Sequence, residues 1–352
     1  MAPEERVPRL PGAGACRNFP SMASAGPLRP SLTRPRSIPT TPPNRRIWVD
    51  GELLPWESVT VHLLSHSVQR ASLIFDFMSV HPTRRGPAVF RMGEHVRRLL
   101  RSAELIGLPM TMDEEAISRA VVETVRANPG ATVVKVCAYL PSIEVEVVPS
   151  DDRVSVAVAA YDTAADVVGH NAGPVYFKPE LRIRLEKERR KMRPEIIPPQ
   201  AKVSANYTSP MIAKWAARRA GYDEILLVDE KGYLAEASTE NVFLVSQDGR
   251  LRTPSLAYVL AGVTRSSILE IAKHDGIPVA EEAIRPEDLF TAAEVFLTAT
   301  SAGVWPVVSV DGRAVGEGRA GPVSRALRSR FEEVANGHDP AFDAWLTYVN
   351  PT

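Results

Sequence analysis

Cysteine is scarce in this sequence, and so are other features that would place a protein in a special class. The 352 residues include two cysteines, Cys16 and Cys137, which cannot form a disulfide framework and suit a reducing compartment. We therefore expect a cytoplasmic protein. Lysine plus arginine and aspartate plus glutamate balance at 42 each, so no net charge attracts nucleic acid or an anionic membrane. This balance outweighs the basic run Arg182–Arg193, and we expect no nucleic-acid partner.

Two further absences exclude other classes. No apolar run is long enough to span a bilayer, so we expect no membrane partner. No group of histidines and cysteines has metal-ligand spacing, so we expect no metal. The composition, 44% hydrophobic and 24% charged, is that of an ordinary globular protein.

The first 46 residues lack the residues that form a core. They hold ten of the 30 prolines and eight arginines, and no acid occurs between Glu5 and Asp50. We expect residues 1–46 to be a disordered, dispensable tail. The alternatives are a targeting peptide, whose helix the prolines would break, a flexible interaction arm, and an extension from a misplaced start codon.

From Ile47 onward the hydrophobic pattern predicts a mixed α+β and α/β protein of two domains. We expect a small α+β domain at residues 47–161, an interdomain loop at 162–174 and a large domain at 175–352. Helices are predicted at Gly93–Ile106, Met112–Ala127, Tyr207–Ala220, Thr264–His274 and Gly321–Val334. Strands are predicted from Ile47, near Val59–Leu64, and at Thr132–Tyr139, Arg153–Ala160, Glu224–Glu236 (a hairpin), Asn241–Ser246, Glu294–Thr298 and Val307–Asp311.

One lysine stands alone in an apolar stretch. Lys202 is the single charged residue between Ile196 and Pro210, directly after a run dense in charge. A lysine that acts as a neutral amine needs such a setting, because desolvation lowers its pKa and frees its lone pair. The simpler alternative is a solvated surface lysine.

Other stretches have the chemistry that would accompany a reactive lysine. Glu236 lies at the end of a predicted strand among apolar residues, where a carboxylate needs a cationic partner. Gly262–Arg265 begins a helix, and Thr298–Gly303 follows a strand with small and hydroxyl residues; both can bind an anion. Arg98 lies beside the apolar face of the first predicted helix. A surface acid, a helix cap, a loop and a solvated charge are the simpler alternatives. Together, however, a lysine, an acid and phosphate donors are what pyridoxal phosphate requires.

The motifs are similar to those of a known family, and the similarity covers the chain from about Ile47 to the C-terminal helix. The sequence resembles the fold-type IV pyridoxal-phosphate enzymes, which include the branched-chain aminotransferases and have the D-amino acid aminotransferase-like fold. The resemblance rests on Glu236-x-Ser-x-x-Asn241-Val-Phe243, Leu251-x-Thr253, Leu260-x-Gly262-Val263-x-Arg265, Ser65-His66, Phe90–Leu99, Ala201-Lys202 with Asn206-Tyr207, and Val310-Asp-Gly.

The resemblance implies a role for each matching residue. Lys202 would carry the cofactor and move a proton, Glu236 would pair with the pyridine nitrogen, and Tyr207 would bond the phenolic oxygen. The phosphate would be bound by Arg98, Val263, Thr264 and Thr300, and the substrate carboxylate by Thr300 and Ser301. The resemblance also implies a homodimer.

The residues at the positions that line the substrate differ from those of the branched-chain aminotransferases. Arg70 stands where the family has a tyrosine, Phe77 where it has a glycine, and Ser79 and Lys135 where it has arginines. Phe75 and Phe77 predict an apolar pocket. Arg70 or Lys135 could bind the second carboxylate of an acceptor.

The resemblance predicts a ping-pong transaminase that moves an amino group from an apolar L-amino acid, such as a branched-chain one, to a 2-oxoacid. Three alternatives stay open. The stretch from Thr300 to Gly312 also resembles the (R)-selective amine transaminases, so an (R)-amine or D-amino acid could be the donor. An aminodeoxychorismate-type lyase and a non-catalytic cofactor-binding protein are the others.

Overall fold

The computed structural model describes residues 45–168 and 178–350. These residues belong to one compact unit, Thr41–Thr352. The predicted tail, apart from Arg45 and Arg46, and residues 169–174 of the predicted loop lie outside the described residues. Residues 163–168 of that loop form a π-helical turn. No helix in the described ranges is long and apolar enough to cross a membrane.

The described strands form two sheets. They are β1 (Arg46–Val49), β2 (Glu52–Pro55), β3 (Ile74–Thr83), β4 (Gly86–Phe90), β5 (Val133–Tyr139), β6 (Ser155–Tyr161), β7 (Leu181–Glu186), β8 (Glu224–Val228), β9 (Leu234–Ala237), β10 (Asn241–Val245), β11 (Leu251–Pro254), β12 (Val279–Glu282), β13 (Glu294–Ala299), β14 (Gly303–Val310), β15 (Arg313–Ala314) and β16 (Leu346–Tyr348). The α-helices are α1 (His66–Arg70), α2 (Met92–Ile106), α3 (Glu114–Ala127), α4 (Thr208–Arg219), α5 (Val263–His274) and α6 (Pro322–Ala335). Short 3₁₀ helices lie at Trp56–Ser58, Ser204–Tyr207, Pro286–Phe290 and Pro340–Trp345.

The first sheet has seven strands in the order β16-β4-β3-β5-β6-β1-β2, and every pairing in it is antiparallel. Helices α2 and α3 cover one face through side chains such as Val96, Leu99 and Ile117, which pack against Met78 and Val136 in one buried cluster. The C-terminal strand β16 returns to this sheet and pairs with β4. The division into domains at 47–161 and 175–352 stays a prediction.

The second sheet has nine strands in the order β12-β11-β10-β13-β14-β7-β8-β9, with β15 beside β14. A pairing of Asn241 with Glu236 joins β10 to β9, so six of the strands form a closed ring. This closure fixes Glu236 and Asn241 side by side in the barrel-like part of the sheet. Helix α4 packs on β8, while α5 and α6 pack on β13 and α6 also on β14.

The predicted helices and most predicted strands are present within about two residues of their expected ends. The strand predicted near Val59–Leu64 is wrong, because this segment is coil and turn and Leu63 is 71% exposed. Strand β1 pairs with Glu52–Pro55 instead. The apolar residues of the segment 59–64 have the pattern of a strand, but no strand among the described residues pairs with this segment.

Candidate functional site

A cavity of about 410 Å³ lies between the two sheets, a size typical of small-molecule sites. We call it the main cavity. All the predicted site residues except Arg70 and Glu236 line it: Phe75, Phe77, Arg98, Lys135, Lys202, Tyr207, Val263, Thr264, Thr300 and Ser301. The fold thus brings together residues that lie more than 200 positions apart in the sequence.

Lys202 lies in the wall of the main cavity, and both of its backbone polar groups are hydrogen-bonded. Its backbone N–H donates to Ser102 Oγ at 3.0 Å, and its carbonyl accepts from the N–H of Phe75. These bonds fix the lysine between α2 and β3. Its Nζ is 2.8 Å from Tyr207 Oη and 4.9 Å from the Phe75 ring centre.

The environment of Lys202 favours the neutral amine. The residue is 9% exposed, and burial together with the charge of Arg98 lowers the pKa of Lys202 to about 8. Burial and the nearby charge of Glu236 raise the pKa of Tyr207 above its usual range. The tyrosine therefore stays a neutral hydrogen-bonding group beside the amine.

Arg98 is oriented toward the cavity by the buried carboxylate of Asp76, a residue without a predicted role. Its Nε and Nη2 donate to the two oxygens of Asp76 at 2.8 and 2.7 Å, which is bidentate geometry. His95 Nδ1 donates to the same carboxylate at 2.6 Å. Although burial opposes it, the charges of Arg98 and His95 hold the pKa of Asp76 well below its usual range. Asp76 thus remains an anion and fixes Arg98.

The first turn of α5 lies beside Arg98. The arginine Nη1 donates to the carbonyl of Ala261 at 2.9 Å, just before Val263 and Thr264 begin the helix. The first N–H groups of a helix have no intrahelical acceptor and attract anions. The guanidinium and the helix end therefore form one anion-binding corner of the main cavity.

Glycine is required at position 262. A Cβ atom there would lie 2.0 Å from Asn241 Oδ1, which is far closer than atoms can approach. The glycine lets the start of α5 pass directly beside β10. The predicted Gly262-Val263 motif thus has a steric reason as well as an electrostatic one.

Glu236 lies behind the main cavity. It borders a smaller cavity of about 30 Å³, which we call the side cavity and which shares Tyr207, Thr239, Asn241 and Leu260 with the main one. One carboxylate oxygen accepts from Asn241 Nδ2 at 3.1 Å and from the Leu260 N–H at 3.0 Å. The other oxygen is bonded to the ammonium of Lys191.

The predicted substrate side has apolar walls and one cation. Phe77 and Lys135 are directly opposed on β3 and β5, and the Lys135 ammonium is 4.9 Å from the ring centre of Phe75. Arg70 lies elsewhere: its guanidinium is exposed and donates to the carbonyl of Val145. Of the two cations proposed for a second carboxylate, Lys135 is the one that lines the cavity.

Two further residues line the main cavity: Tyr161, which had no predicted role, and Thr298, the first residue of the predicted anion-binding stretch. The buried Oγ1 of Thr298 has no hydrogen-bond partner among the described residues. A buried hydroxyl of this kind fits a polar ligand. Asp76 could have been found as an acid within an apolar run, but Lys191 lies in a charged run that gives no such signal.

Comparison with known proteins gives one consistent family. The family model described as "Amino-transferase class IV" matches residues 73–310. A curated relative, the branched-chain-amino-acid aminotransferase of Escherichia coli (strain K12), is 33% identical over 307 residues, covering 86% of this chain and 97% of the relative.

Two solved structures agree with this result. The branched-chain amino acid aminotransferase of T.th., complexed with N-(5'-phosphopyridoxyl)-L-glutamate, has 34% identity and a TM-score of 0.79, covering 87% of this chain and 99% of that one. A branched-chain aminotransferase of Thermoproteus uzoniensis with norvaline has 32% identity and a TM-score of 0.79, covering 87% and 99%.

Proposed function

This chain belongs to the class IV aminotransferase family, and we propose that it transfers the amino group of an apolar L-amino acid to a 2-oxoacid with pyridoxal 5'-phosphate as cofactor. The observation that carries the proposal is the placement of Lys202. A buried lysine with a lowered pKa faces a cavity of suitable size, with an anion-binding corner in the same cavity. The fold and the aminotransferase class follow from the family; the particular donor is part of the proposal.

The residues present fit this cofactor. Arg98 and the first turn of α5 would hold its phosphate together with Thr300, and the hydroxyl of Thr298, partnerless within the described part of the chain, supports a polar ligand beside them. Glu236 would face the ring nitrogen, and Tyr207 the phenolic oxygen. When bound, the cofactor supplies an aldehyde that bonds amines and a protonated ring that withdraws electrons.

Lys202 would perform the proton transfers. Its amine would accept the proton from the Cα of the amino donor and deliver it to C4′, the former aldehyde carbon of the cofactor, which requires the neutral amine in part of each cycle. Tyr207 Oη, 2.8 Å from Nζ, would hold the amine in position. Asp76 would act only through Arg98, by keeping the guanidinium aligned.

The walls of the cavity support an apolar donor and a dicarboxylate acceptor. Phe75 and Phe77 would contact an aliphatic side chain, and Lys135 would bind a second carboxylate. Thr300 and Ser301 would meet the α-carboxylate. The relatives that carry branched-chain names support this choice, and the L-glutamate adduct of one relative supports L-handedness.

The homodimer and the cytoplasmic location are also proposals. Two loops joined by a bridge between Ser65 and Ile143 expose apolar side chains, among them Leu63 at 71%, Val145 at 88% and Val148 at 78%. Contiguous exposed apolar surface is typical of a protein interface, and we propose that a second copy of the chain covers it. The two cysteines support a reducing compartment.

The Lys202→Ala variant tests the proposal directly. We expect it to lose transamination activity by more than about 10³-fold, because both the amine that bonds the cofactor and the base are removed. It should still bind the cofactor through Arg98 and α5. Lys178→Ala, which removes an ion pair to Asp223, is the matched control and should keep full activity. Substantial activity in Lys202→Ala would refute the assignment.

A further inference from the structure

Lys191 and Glu236 form a buried ion pair at the back of the site. Lys191 is 9% exposed and Glu236 is 6% exposed, and the ammonium bonds one carboxylate oxygen. The Lys191 N–H also donates to the carbonyl of Val228 at 2.8 Å. The charged run that contains Lys191 is thus anchored along β8, with this one side chain directed inward to line the side cavity.

Three hydrogen-bond donors already contact the carboxylate of Glu236. Asn241 and the Leu260 N–H occupy one oxygen, and Lys191 occupies the other. A carboxylate has room for about four hydrogen bonds. A ring nitrogen that donates to Glu236 would therefore share this anion with the ammonium of Lys191, and the two cations repel each other.

We propose that Lys191 is the resident counter-ion of Glu236, and that its charge limits how tightly the ring nitrogen of the bound cofactor holds a proton. Lys191 is a positioning residue in this role, because it acts through Glu236. With Lys191 present, the carboxylate keeps a partner when the ring is neutral. Without it, loss of the ring proton leaves a buried, unpaired anion, which is costly.

Other charged and titratable groups also act on Glu236. They are the guanidinium of Arg98, the amine of Lys202 and the neutral phenol of Tyr207. These three residues lie on the cofactor side and are the same in every variant that tests the proposal. A difference between variants at position 191 therefore reports the charge of Lys191 alone.

The test measures the protonation of the cofactor's ring nitrogen, and it rests on the proposed function. The holoenzyme is prepared with pyridoxal phosphate labelled with ¹⁵N in the ring, and the ¹⁵N chemical shift is recorded against pH. In Lys191→Met we expect the ring to keep its proton to a pH about one to two units higher than in the unchanged protein. Lys191→Arg keeps the charge and should restore the original titration. Lys178→Met, the matched control, should leave it unchanged.

The outcomes separate this inference from the proposed function. If the unchanged protein takes up no cofactor, both are overturned. If it takes up cofactor and the ring titrates alike with Lys or Met at position 191, the inference alone is overturned. Should Lys191→Met fail to fold, Lys191→Gln removes the charge while keeping a donor, and the same upward shift is expected.

A second readout needs no cofactor. Thermal midpoints are measured for the full chain, before cofactor is added, with Lys191→Met, Glu236→Gln and the double variant. Each single change should lower the midpoint by about 5 °C, because each leaves one buried charge unpaired, while the double change should cost much less than the sum. Additive losses would overturn the inference.

Discussion

The lowered pKa of Lys202 comes from the residues around it. Burial is the largest influence on its pKa, and the positive charge of Arg98 adds to it, against the opposing charges of Asp76 and Glu236. The same arginine that would bind the phosphate therefore also lowers the pKa of the lysine. The lowered pKa also affects stability, because the folded protein binds the proton of the Lys202 ammonium less tightly than the unfolded chain does. The contribution of Lys202 to stability should therefore increase as the pH rises from about 8 to 10.5.

The rate of cofactor uptake should depend on the protonation of Lys202. The ammonium cannot bond the aldehyde, and the neutral fraction grows as pH rises toward the lowered pKa of about 8. We expect the uptake rate of cofactor-free protein to rise about tenfold per pH unit below 8 and to level off above it. Stopped-flow absorbance measures this rate, and a model amine in solution corrects for titration of the cofactor itself. An inflection near 10.5, the ordinary value for lysine, would show that the fold does not lower the pKa of Lys202.

At the scale of elements, the site depends on the close approach of α5 to β10. The backbone of Gly262 leads α5 into the main cavity beside Asn241, and Asn241 in turn bonds Glu236. The end of α5 that would bind the phosphate and the acid that would face the ring nitrogen are thus linked by the side chain of Asn241. A shift of α5 would disturb both.

Gly262→Ala should damage cofactor binding more than it damages the fold. The added Cβ would meet Asn241 Oδ1 at 2.0 Å, so α5 or Asn241 must move. We expect the Kd for pyridoxal phosphate to rise by at least about tenfold and stability to fall by about 1–3 kcal/mol. Equilibrium titration and thermal unfolding measure the two effects.

Gly93→Ala is the matched control for this change. Its new Cβ would meet only the flexible end of Arg97, at 3.1 Å, and the Glu114 carboxylate at 3.5 Å, and alanine favours the helix. Its affinity for the cofactor should be unchanged. Equal affinity in Gly262→Ala would show that the close approach has no role in binding.

The sequence predicts helices better than it predicts the acids and bases that support the site. Helix α2 has an apolar stripe and ends at Gly107 in the left-handed conformation, while Asp113 caps α3; both signals are local. Strand β3 was missed because its residues Ile74–Val80 are buried or half-buried on both faces and show no alternation of apolar and polar residues. Asp76 and Lys191 find their partners 22 and 45 residues away, where no local pattern reports them.

At the scale of the whole molecule, the segments 61–68 and 143–148 expose the apolar side chains that the proposed second copy would cover. His66 ties them together, since its Nε2 is bonded to the carbonyl of Val147 at 2.8 Å. The loops are therefore fixed relative to each other although their apolar side chains face outward. This arrangement favours a preformed interface.

Sedimentation velocity tests the proposed dimer. The unchanged chain should sediment as a dimer at micromolar concentration, and Val145→Ser combined with Val148→Ser should shift it toward monomer, because a central apolar contact is lost. Met211→Ser changes another exposed apolar residue, 51% exposed on α4, and should leave the dimer intact. A monomeric unchanged chain would contradict the proposal.

If this site exchanges amino groups, the amino donor alone must convert the bound cofactor in the first half of the reaction. The purified protein, loaded with pyridoxal phosphate, is mixed in turn with L-leucine, D-alanine and an (R)-arylamine, and its visible absorbance is followed without acceptor. We predict that L-leucine removes the yellow absorbance and that a 2-oxoacid restores it. Removal by D-alanine or the arylamine alone would reverse the handedness of the proposed donor. A yellow protein that none of these donors changes would contradict the proposed transamination.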